Sequence, residues 1–366
     1  MSDQRRGHDD GILDDVAAMA RSDPGGMLGL VAELPGQVEA AWRLSRDIEL
    51  PWEAPRSVAV LGMGGSAIGG DLVKGIWSDR LSVPVEVVRG YELPAWVGGD
   101  TLVIASSKSG ATEETISALS QALERRCAVV VLTAGGPLRE VAQRTGLPLA
   151  TFPEAGTPRS SVGYSMGLLA GILERAGVLE LQQAEIAEGT SAAREMAARC
   201  EPGVPTSENL AKQLAWSLVD RFTVIEASGF LAPVARRWKA QLNENGKSAA
   251  AFEELPEATH NTVVGYEQPE SLRDHLFVVF LASVLEHPRN ALRARLVGDL
   301  LDSAKISYQF VDAIGDSKLG QALSAIVIGD YVSVYVAFTY GIDPSPVAVI
   351  DHIKEQLALA DQSGQS

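Results

Sequence analysis

The N-terminal part of the chain has the hydrophobic spacing of helices. Between Ile12 and Ala20, apolar residues recur three or four positions apart, which is the spacing of one helix face. A Pro-Gly-Gly sequence at residues 24–26 breaks the pattern, and a second amphipathic stretch follows at about Met27–Ile48, interrupted near Pro35. We therefore predict a helical segment over residues 1–50 that packs on the core.

Beyond this segment, short β-branched runs alternate with helical patterns. The predicted strands are Ser57–Leu61, Pro84–Val88, Thr101–Ala105, Ala128–Leu132, Leu147–Ala150, Thr223–Ala227, His275–Phe280 and Ser307–Val311. Helical patterns occupy Ser66–Trp77, Glu113–Arg126 and Pro137–Arg144, and the apolar run Val332–Phe338 also favours a helix. Strands that alternate with helices indicate parallel sheets covered on both faces.

The alternating pattern occurs twice, which suggests an internal duplication. Between the two series lies an Ala- and Glu-rich helical stretch, about Leu181–Arg199, and then a hinge rich in Pro and Gly at residues 200–205. We place the domain boundary at this hinge. The sequence thus predicts an α/β protein with two doubly wound, flavodoxin-like parallel-sheet domains in tandem, at residues 51–200 and 206–366, after the N-terminal helices.

The charge balance restricts the possible partners. With 31 Lys and Arg residues against 47 Asp and Glu residues, the net charge is −16. Binding to nucleic acid or to an anionic membrane needs a basic surface, so we expect neither partner. A small anionic substrate remains possible, because a local cluster of backbone N–H groups can outweigh the overall field.

The cysteines and the N-terminus predict a cytoplasmic location. Cys127 and Cys200 form no CxxC pair, and we interpret them as free thiols in a reducing compartment. The first 15 residues contain no apolar signal region, and no stretch of 18 apolar residues lacks a charge. We therefore expect neither a secretory signal nor a membrane span.

A glycine-rich loop, residues 62–70 (GMGGSAIGG), connects the first predicted strand to a helix. Glycines allow the turn and a close approach to the backbone, and the helix N-terminus offers N–H groups to an anion. The loop also fits a permissive dinucleotide fingerprint, with Glu86 as the ribose-binding acid, or a simple tight turn. We favour a sugar or phosphate site, in which Gly64 and Gly65 contact the substrate and Ser66 its phosphate.

A second loop follows the third strand, with the sequence SSKSGATEET from Ser106 to Thr115. The hydroxyls of Ser107, Ser109 and Thr112 precede a helix, an arrangement that suits phosphate oxygens. N-capping by Thr112 is the simpler alternative, but a cap requires only one such residue. We therefore interpret this loop as a phosphate site.

Together, GMGGSAIGGD and SSKSGATEET resemble the sugar isomerase (SIS) domain, and two such domains in one chain resemble the bifunctional phosphoglucose/phosphomannose isomerase family. More specific matches are Arg159 in TPRSSVG, Glu244 in RWKAQLNEN, His260 in EATHN and Lys354 in IDHIK. The resemblance extends from about Arg56 to Leu357. Lys108 departs from it, since that position is usually aromatic in the family; its side chain could attract phosphate or point into solvent.

The resemblance implies aldose–ketose isomerisation of hexose 6-phosphates: glucose 6-phosphate to fructose 6-phosphate and mannose 6-phosphate to fructose 6-phosphate. Glu244 would be the base, in an apolar pocket, and Arg159 would stabilise the enediolate. His260 and Lys354 would open the sugar ring. In the family the histidine reaches the neighbouring subunit's site, which implies a homodimer. We expect no cofactor and no metal, because the sequence has no HExxH motif and its histidines are scattered.

Each of these residues also has an ordinary structural interpretation. Glu244 could be a surface helix residue, His260 a loop residue, Arg159 an ion-pair partner and Lys354 a lysine that extends along apolar neighbours into water. Two other functions compete with the isomerase: a non-catalytic sugar-phosphate sensor with the same fold, and a nicotinamide dehydrogenase. The presence of all four residues argues against the sensor.

Overall fold

The computed structural model describes residues 11–50, 54–153 and 156–363. The N-terminal helices are α1 (Val16–Ser22), α2 (Met27–Ala32) and α3 (Leu34–Leu44). They are followed by α4 (Gly64–Ile76), α5 (Glu113–Glu124), α6 (Gly136–Thr145), α7 (Val162–Arg175) and α8 (Gln183–Cys200). The remaining helices are α9 (Leu210–Leu218), α10 (Ala232–Glu244), α11 (Leu272–His275), α12 (Pro288–Ala304), α13 (Lys318–Thr339) and α14 (Ala348–Ser363).

The strands form two parallel sheets. The first contains β1 (Ser57–Leu61), β2 (Val85–Val88), β3 (Thr101–Ser106), β4 (Ala128–Thr133) and β5 (Leu149–Thr151) in the order β2-β1-β3-β4-β5. The second contains β6 (Phe222–Ser228), β7 (Ala250–Leu255), β8 (Leu276–Ala282) and β9 (Ser307–Asp312) in the order β7-β6-β8-β9. In both sheets the first strand lies between the second and the third, so the strands of the two halves follow the same order. The predicted fold class is confirmed.

All eight predicted strands are present, with bounds that differ by at most two residues. Strand β7 was not predicted, because its segment AAFEEL lacks a β-branched run. The helix expected at Val332–Phe338 is part of α13. The predicted interruption of the second N-terminal stretch lies at Glu33, between α2 and α3.

Helix α13 lies at the centre of the fold. Its 22 residues, Lys318–Thr339, are long and apolar enough to cross a membrane, but the apolar window is wholly buried inside the protein. It packs against α8, α9 and α10, so that residues from both halves belong to one hydrophobic core. Among its apolar side chains, Asp330 and Ser333 are buried as well. Ser333 accepts a hydrogen bond from Asn245 Nδ2 (3.0 Å), and Asp330 supports the site described below.

The hinge between the halves is held by a buried lysine. Lys212 on α9 donates hydrogen bonds from Nζ to the carbonyl oxygens of Pro202 (2.8 Å) and Val204 (2.7 Å). Cys200, at the end of α8, and Cys127 are both free thiols, as the sequence predicts. Burial raises the pKa of Cys200 to about 12, so this thiol is not reactive near neutral pH.

Candidate active site

The two loops singled out in the sequence lie side by side. β1 and β3 are neighbours, with Leu61 paired to Ala105, and the loops leave their carboxyl ends. At this point the winding of the sheet changes direction, because β2 lies on one side of β1 and β3 on the other. Ligands of open α/β sheets bind in such a crevice. Helices α4 and α5 both begin there.

Glycine at position 65 brings a third segment onto the N-terminus of α4. A Cβ atom on Gly65 would lie 2.5 Å from the carbonyl oxygen of Pro158, so only glycine allows this contact. Pro158 begins the short 3-10 turn Pro158–Ser161, which contains Arg159. Gly64, at the start of α4, has a φ of +49°, which also favours glycine.

The glycines at positions 69 and 70 do not belong to a sugar-binding turn, contrary to the interpretation of the whole run as one loop. Both are buried inside α4. A Cβ atom on Gly69 would lie 2.3 Å from Ser165 Oγ, and one on Gly70 would lie 2.9 Å from a methyl group of Val87. These two glycines let α4 pack closely on α7 and β2.

Replacement of Gly65 by Ala should lower the free energy of unfolding by about 1–3 kcal/mol, the usual cost of overpacking. The added methyl group would push the Arg159 turn away from α4, so activity should fall too. Gly36→Ala is the matched control: Gly36 lies in α3 with nothing within 4 Å of its added Cβ, and this variant should be as stable as wild type or more so. Urea denaturation measures both; equal stability of the two variants would contradict the contact.

The second loop forms a cluster of hydroxyl groups before α5. Ser107 Oγ lies 2.8 Å from Thr112 Oγ1 and 3.4 Å from Ser109 Oγ, and it accepts a hydrogen bond from the N–H of Gly110 (3.1 Å). Thr112 is the N-cap residue of α5, but its side chain makes no capping hydrogen bond. The capping alternative is therefore not what the structure shows, and the hydroxyl of Thr112 turns towards Ser107.

Lys108 points into the protein, not into solvent. Its Nζ donates hydrogen bonds to the carbonyl oxygen of Gly156 (2.9 Å) and to Ser161 Oγ (2.7 Å). Burial lowers the pKa of this lysine. Because Gly156 precedes the Arg159 turn and Ser161 is its last residue, Lys108 connects the second loop directly to the segment that contains Arg159.

Arg159 joins the two halves of the chain. Its side chain is only 4% exposed. Nε donates to Asn245 Oδ1 (2.6 Å), and one terminal nitrogen donates to the carbonyl oxygens of Pro344 (3.0 Å) and Ser345 (2.6 Å). The other terminal nitrogen lies 3.6 Å from Glu244 Oε2. Burial lowers the pKa of Arg159 while the Glu244 carboxylate opposes that shift, and the guanidinium remains a cation at neutral pH.

A polar network that the sequence analysis missed supports Arg159. Arg237 donates hydrogen bonds to the carbonyl oxygen of Arg159 (2.9 Å) and to Asp330 Oδ2 (2.6 Å). Gln241 donates to the other oxygen of Asp330 (3.0 Å). Arg237, Gln241 and Asn245 are four residues apart and face α13. The signal was present in the sequence, because Asp330 is the one acidic residue in the long, mostly apolar stretch 319–339.

Glu244 occupies the last position of α10, with Asn245 as the C-cap. Its side chain is 28% exposed and adjoins a guanidinium, so the expectation of an apolar pocket around it is wrong. Lys247 contributes a further cation, since its Nζ donates to the carbonyl oxygens of Glu244 and of Pro344. Burial lowers the pKa of Lys247, and so does the nearby Arg159. Asp343 acts on both cations as well, so Arg159 and Lys247 face two carboxylates, those of Glu244 and Asp343.

The other two expected site residues, His260 and Lys354, lie on the protein surface. His260 is exposed at the end of a 3-10 turn, Glu257–His260, and Lys354 is exposed on α14. Among the described residues, no hydrogen bond or ion pair joins either one to Arg159 or Glu244. The structure of one chain thus brings together Gly64, Gly65, Arg159 and Glu244, but not the two residues expected to open the sugar ring.

A buried carboxyl group lies beneath the His260 segment. Glu226, on β6, is fully buried and accepts a hydrogen bond from the Tyr266 hydroxyl (2.6 Å). Burial raises the pKa of Glu226 to about 7, although the hydrogen bond from Tyr266 opposes the shift. Ionisation of this group in the folded protein is thus unfavourable below neutral pH.

Glu226→Gln should therefore change stability in a pH-dependent way. Since the folded pKa of about 7 exceeds the ordinary value of 4.5, the wild type loses stability as the pH rises through this window, whereas Gln cannot ionise. Relative to wild type, the variant should gain up to about 3 kcal/mol between pH 4.5 and pH 8. Urea denaturation across this pH range measures the effect, and Glu195→Gln, at an exposed position, is the control. A difference in the free energy of unfolding between Glu226→Gln and wild type that stays constant with pH would contradict the prediction.

The fold and the paired loops are those of a protein with two SIS domains in tandem. Its similarity to known proteins defines the family more closely. Residues 207–357 match the family described as the bacterial phospho-glucose isomerase C-terminal SIS domain. The chain is 38% identical, over 91% of its length, to a bifunctional phosphoglucose/phosphomannose isomerase from Caldicellulosiruptor bescii, of which it covers 99%. It is 32% identical, over 82% of its length, to such an enzyme from Aquifex aeolicus, of which it covers 90%.

A solved structure shares the fold. A hypothetical protein from Thermus thermophilus superimposes with a TM-score of 0.73 at 19% identity, with coverage of 95% of this chain and 94% of that one. The chain belongs to the bifunctional phosphoglucose/phosphomannose isomerase family and is an isomerase. Within the described ranges, no three His, Cys, Asp or Glu side chains lie close enough together to hold a metal ion.

Proposed function

We propose that the protein interconverts glucose 6-phosphate with fructose 6-phosphate, and mannose 6-phosphate with fructose 6-phosphate, without a metal or other cofactor and in the cytoplasm. The observation that carries the proposal is the pairing of Arg159 with Glu244, 3.6 Å apart, beside the glycine loop and the hydroxyl loop. A carboxylate and a fixed cation at the edge of an anion-binding crevice are what an enediolate reaction requires.

The substrate phosphate would bind to the hydroxyl loop. Ser107, Ser109 and Thr112 offer three hydroxyls, and the N-terminus of α5 adds backbone N–H groups. Ser66, in the first turn of α4, would contribute from the neighbouring loop, and Gly64 and Gly65 would let the sugar approach the backbone. Local groups are needed here, because the overall charge of −16 repels a phosphate dianion.

Glu244 would move the proton between the two carbons. Its carboxylate removes the proton from C2 of the open-chain aldose, and the electron pair of the broken C–H bond forms the enediolate. A proton then moves from O2 to O1, and the same carboxyl group returns a proton to C1, which yields the ketose. Arg159, locked by Asn245, Pro344 and Ser345, would stabilise the negative charge on the enediolate oxygens without having to reorganise.

Ring opening would need a second subunit. His260 lies on the surface of its own chain and so is available to a neighbouring copy. Helix α14, which bears Lys354, exposes the apolar side chains Val349, Ile350, Ile353 and Leu357. Exposed apolar side chains of this kind are typical of surfaces that another chain covers. We propose a homodimer in which His260 completes the partner's site and, together with Lys354, moves the ring-opening proton.

A coupled assay with glucose 6-phosphate, mannose 6-phosphate and fructose 6-phosphate tests the proposed function. Turnover in both aldose–ketose pairs is the expected result. Tight binding of the three sugars without turnover would instead establish the sensor. Stabilisation against heat by NAD or NADP would favour the dehydrogenase, in which Glu86 binds the ribose; in the structure Glu86 pairs with Lys74 (2.7 Å).

A further inference from the structure

The segment that contains His260 has little regular structure of its own. It consists of two short 3-10 turns, Glu257–His260 and Thr262–Glu267. Between them, the Asn261 side chain accepts a hydrogen bond from the N–H of Thr262 (2.6 Å) and donates one to Glu257 (2.8 Å). These contacts brace the segment internally but do not fix its position on the domain.

Two buried residues fix that position. Ala258 is fully buried in the core of the second half, and Tyr266 reaches the same core, where it donates its hydroxyl hydrogen to Glu226 at 2.6 Å. His260 lies between the two anchors and is exposed, as is Val264. We propose that Glu226 and Tyr266 are positioning residues, which hold His260 where it can reach the reacting sugar of the partner subunit.

The location of Glu226 suits an anchor. It lies on β6, which is paired on both sides, with Glu226 opposite Glu253 of β7 and Phe280 of β8. The groups that act on it electrostatically are Tyr266 and Glu253, and the helix packed on this face, α12, contributes apolar side chains such as Val297. The acceptor oxygen therefore belongs to an interior strand of the sheet.

The acid is also costly to keep there. Its second oxygen, Oε2, is buried and has no hydrogen-bond partner among the residues that the structure describes. A buried polar group with an unsatisfied atom destabilises a fold, and an apolar residue of similar size would avoid the cost. A buried acid that makes a single hydrogen bond, to the segment containing His260, is what a positioning role requires. Since small displacements of a reacting group can cost about 100-fold in rate, a firm anchor matters.

The inference rests on the proposed function, in which His260 takes part in ring opening. Tyr266→Phe and Glu226→Leu each remove the hydrogen bond while preserving most of the apolar contact. In both variants, amide hydrogen exchange in residues 257–267 should accelerate, and kcat with glucose 6-phosphate should fall about tenfold with KM within twofold of wild type. Glu226→Gln, whose amide oxygen can still accept from Tyr266, should recover most of the lost kcat.

Tyr308→Phe is the matched control, because it removes another tyrosine–carboxylate hydrogen bond, to Asp302 (3.0 Å), at the same core. This variant should have the wild-type rate of amide hydrogen exchange in residues 257–267 and the wild-type kcat. The inference would be overturned if Tyr266→Phe had the wild-type rate of amide hydrogen exchange in residues 257–267 and the wild-type kcat. It would also be overturned if exchange were faster in this variant but kcat were unchanged. A wild type that turns over no hexose phosphate would overturn the proposed function, and the inference with it, before any variant is made.

Discussion

Replacement of Glu244 by Gln should lower kcat for hexose-phosphate isomerisation by about 10²–10⁴-fold while the substrate still binds. The amide has the shape of the carboxylate but cannot accept the proton from C2. Arg159 and the loops that would hold the phosphate remain, and a negative charge near an anionic substrate is removed. The dissociation constant for fructose 6-phosphate should therefore stay the same or decrease. The coupled assay gives kcat, and calorimetry gives the affinity.

The control for this variant is Glu195→Gln, which neutralises an exposed helix glutamate paired with Arg199 on α8. Its kcat should equal that of wild type. A Glu244→Gln enzyme that keeps more than a tenth of wild-type kcat would show that another group removes the proton. Loss of substrate binding, with normal folding, would instead place Glu244 among the groups that hold the sugar.

Activity should return when two inactive variants share one dimer. Glu244→Gln and His260→Ala should each be inactive alone. In a heterodimer of the two, one site combines a wild-type Glu244 with the wild-type His260 of the partner, and the other site lacks both groups. Heterodimers isolated with two affinity tags should therefore show about half of the wild-type turnover per dimer, because an isologous pair of subunits has two equivalent sites.

Heterodimers of two differently tagged Glu244→Gln chains are the control and should stay inactive. If purified Glu244→Gln/His260→Ala heterodimers have no activity, His260 acts in the site of its own chain. If no heterodimer can be isolated because the wild type sediments as a monomer, the proposed dimer is wrong. The experiment thus separates the oligomeric state from the placement of His260.

Most of the secondary structure was predictable, because a parallel strand buried on both faces must be apolar throughout. β1, β3 and β4 obey this rule, and their runs are visible in the sequence. β7 does not, since it is an edge strand whose Glu254 faces solvent. Its pairing with β6 depends on the tertiary structure, which an isolated hydrophobic pattern does not reveal.

The candidate site was predictable in part. The loops and the individual residues stand out by type and motif, but the partners of Arg159 do not. Asn245 is 86 residues away along the chain, and Ser345 is 186 residues away. The role of Gly65 likewise depends on Pro158, and the packing role of Gly69 depends on Ser165. Contacts between residues so far apart along the chain depend on how the helices assemble. The spacing of residues within one segment carries no information about them.

The order of synthesis along the chain limits when the hydrogen bonds that hold Arg159 can form. Arg159 leaves the ribosome well before the carbonyl groups that receive its hydrogen bonds, at Pro344 and Ser345, which lie 185 and 186 residues further along the chain. A nascent chain can form the first sheet and still lack the partners that set the arginine in place. The arrangement of Arg159 would thus be completed only after residues 344 and 345 have been made, and a product terminated before them would lack it.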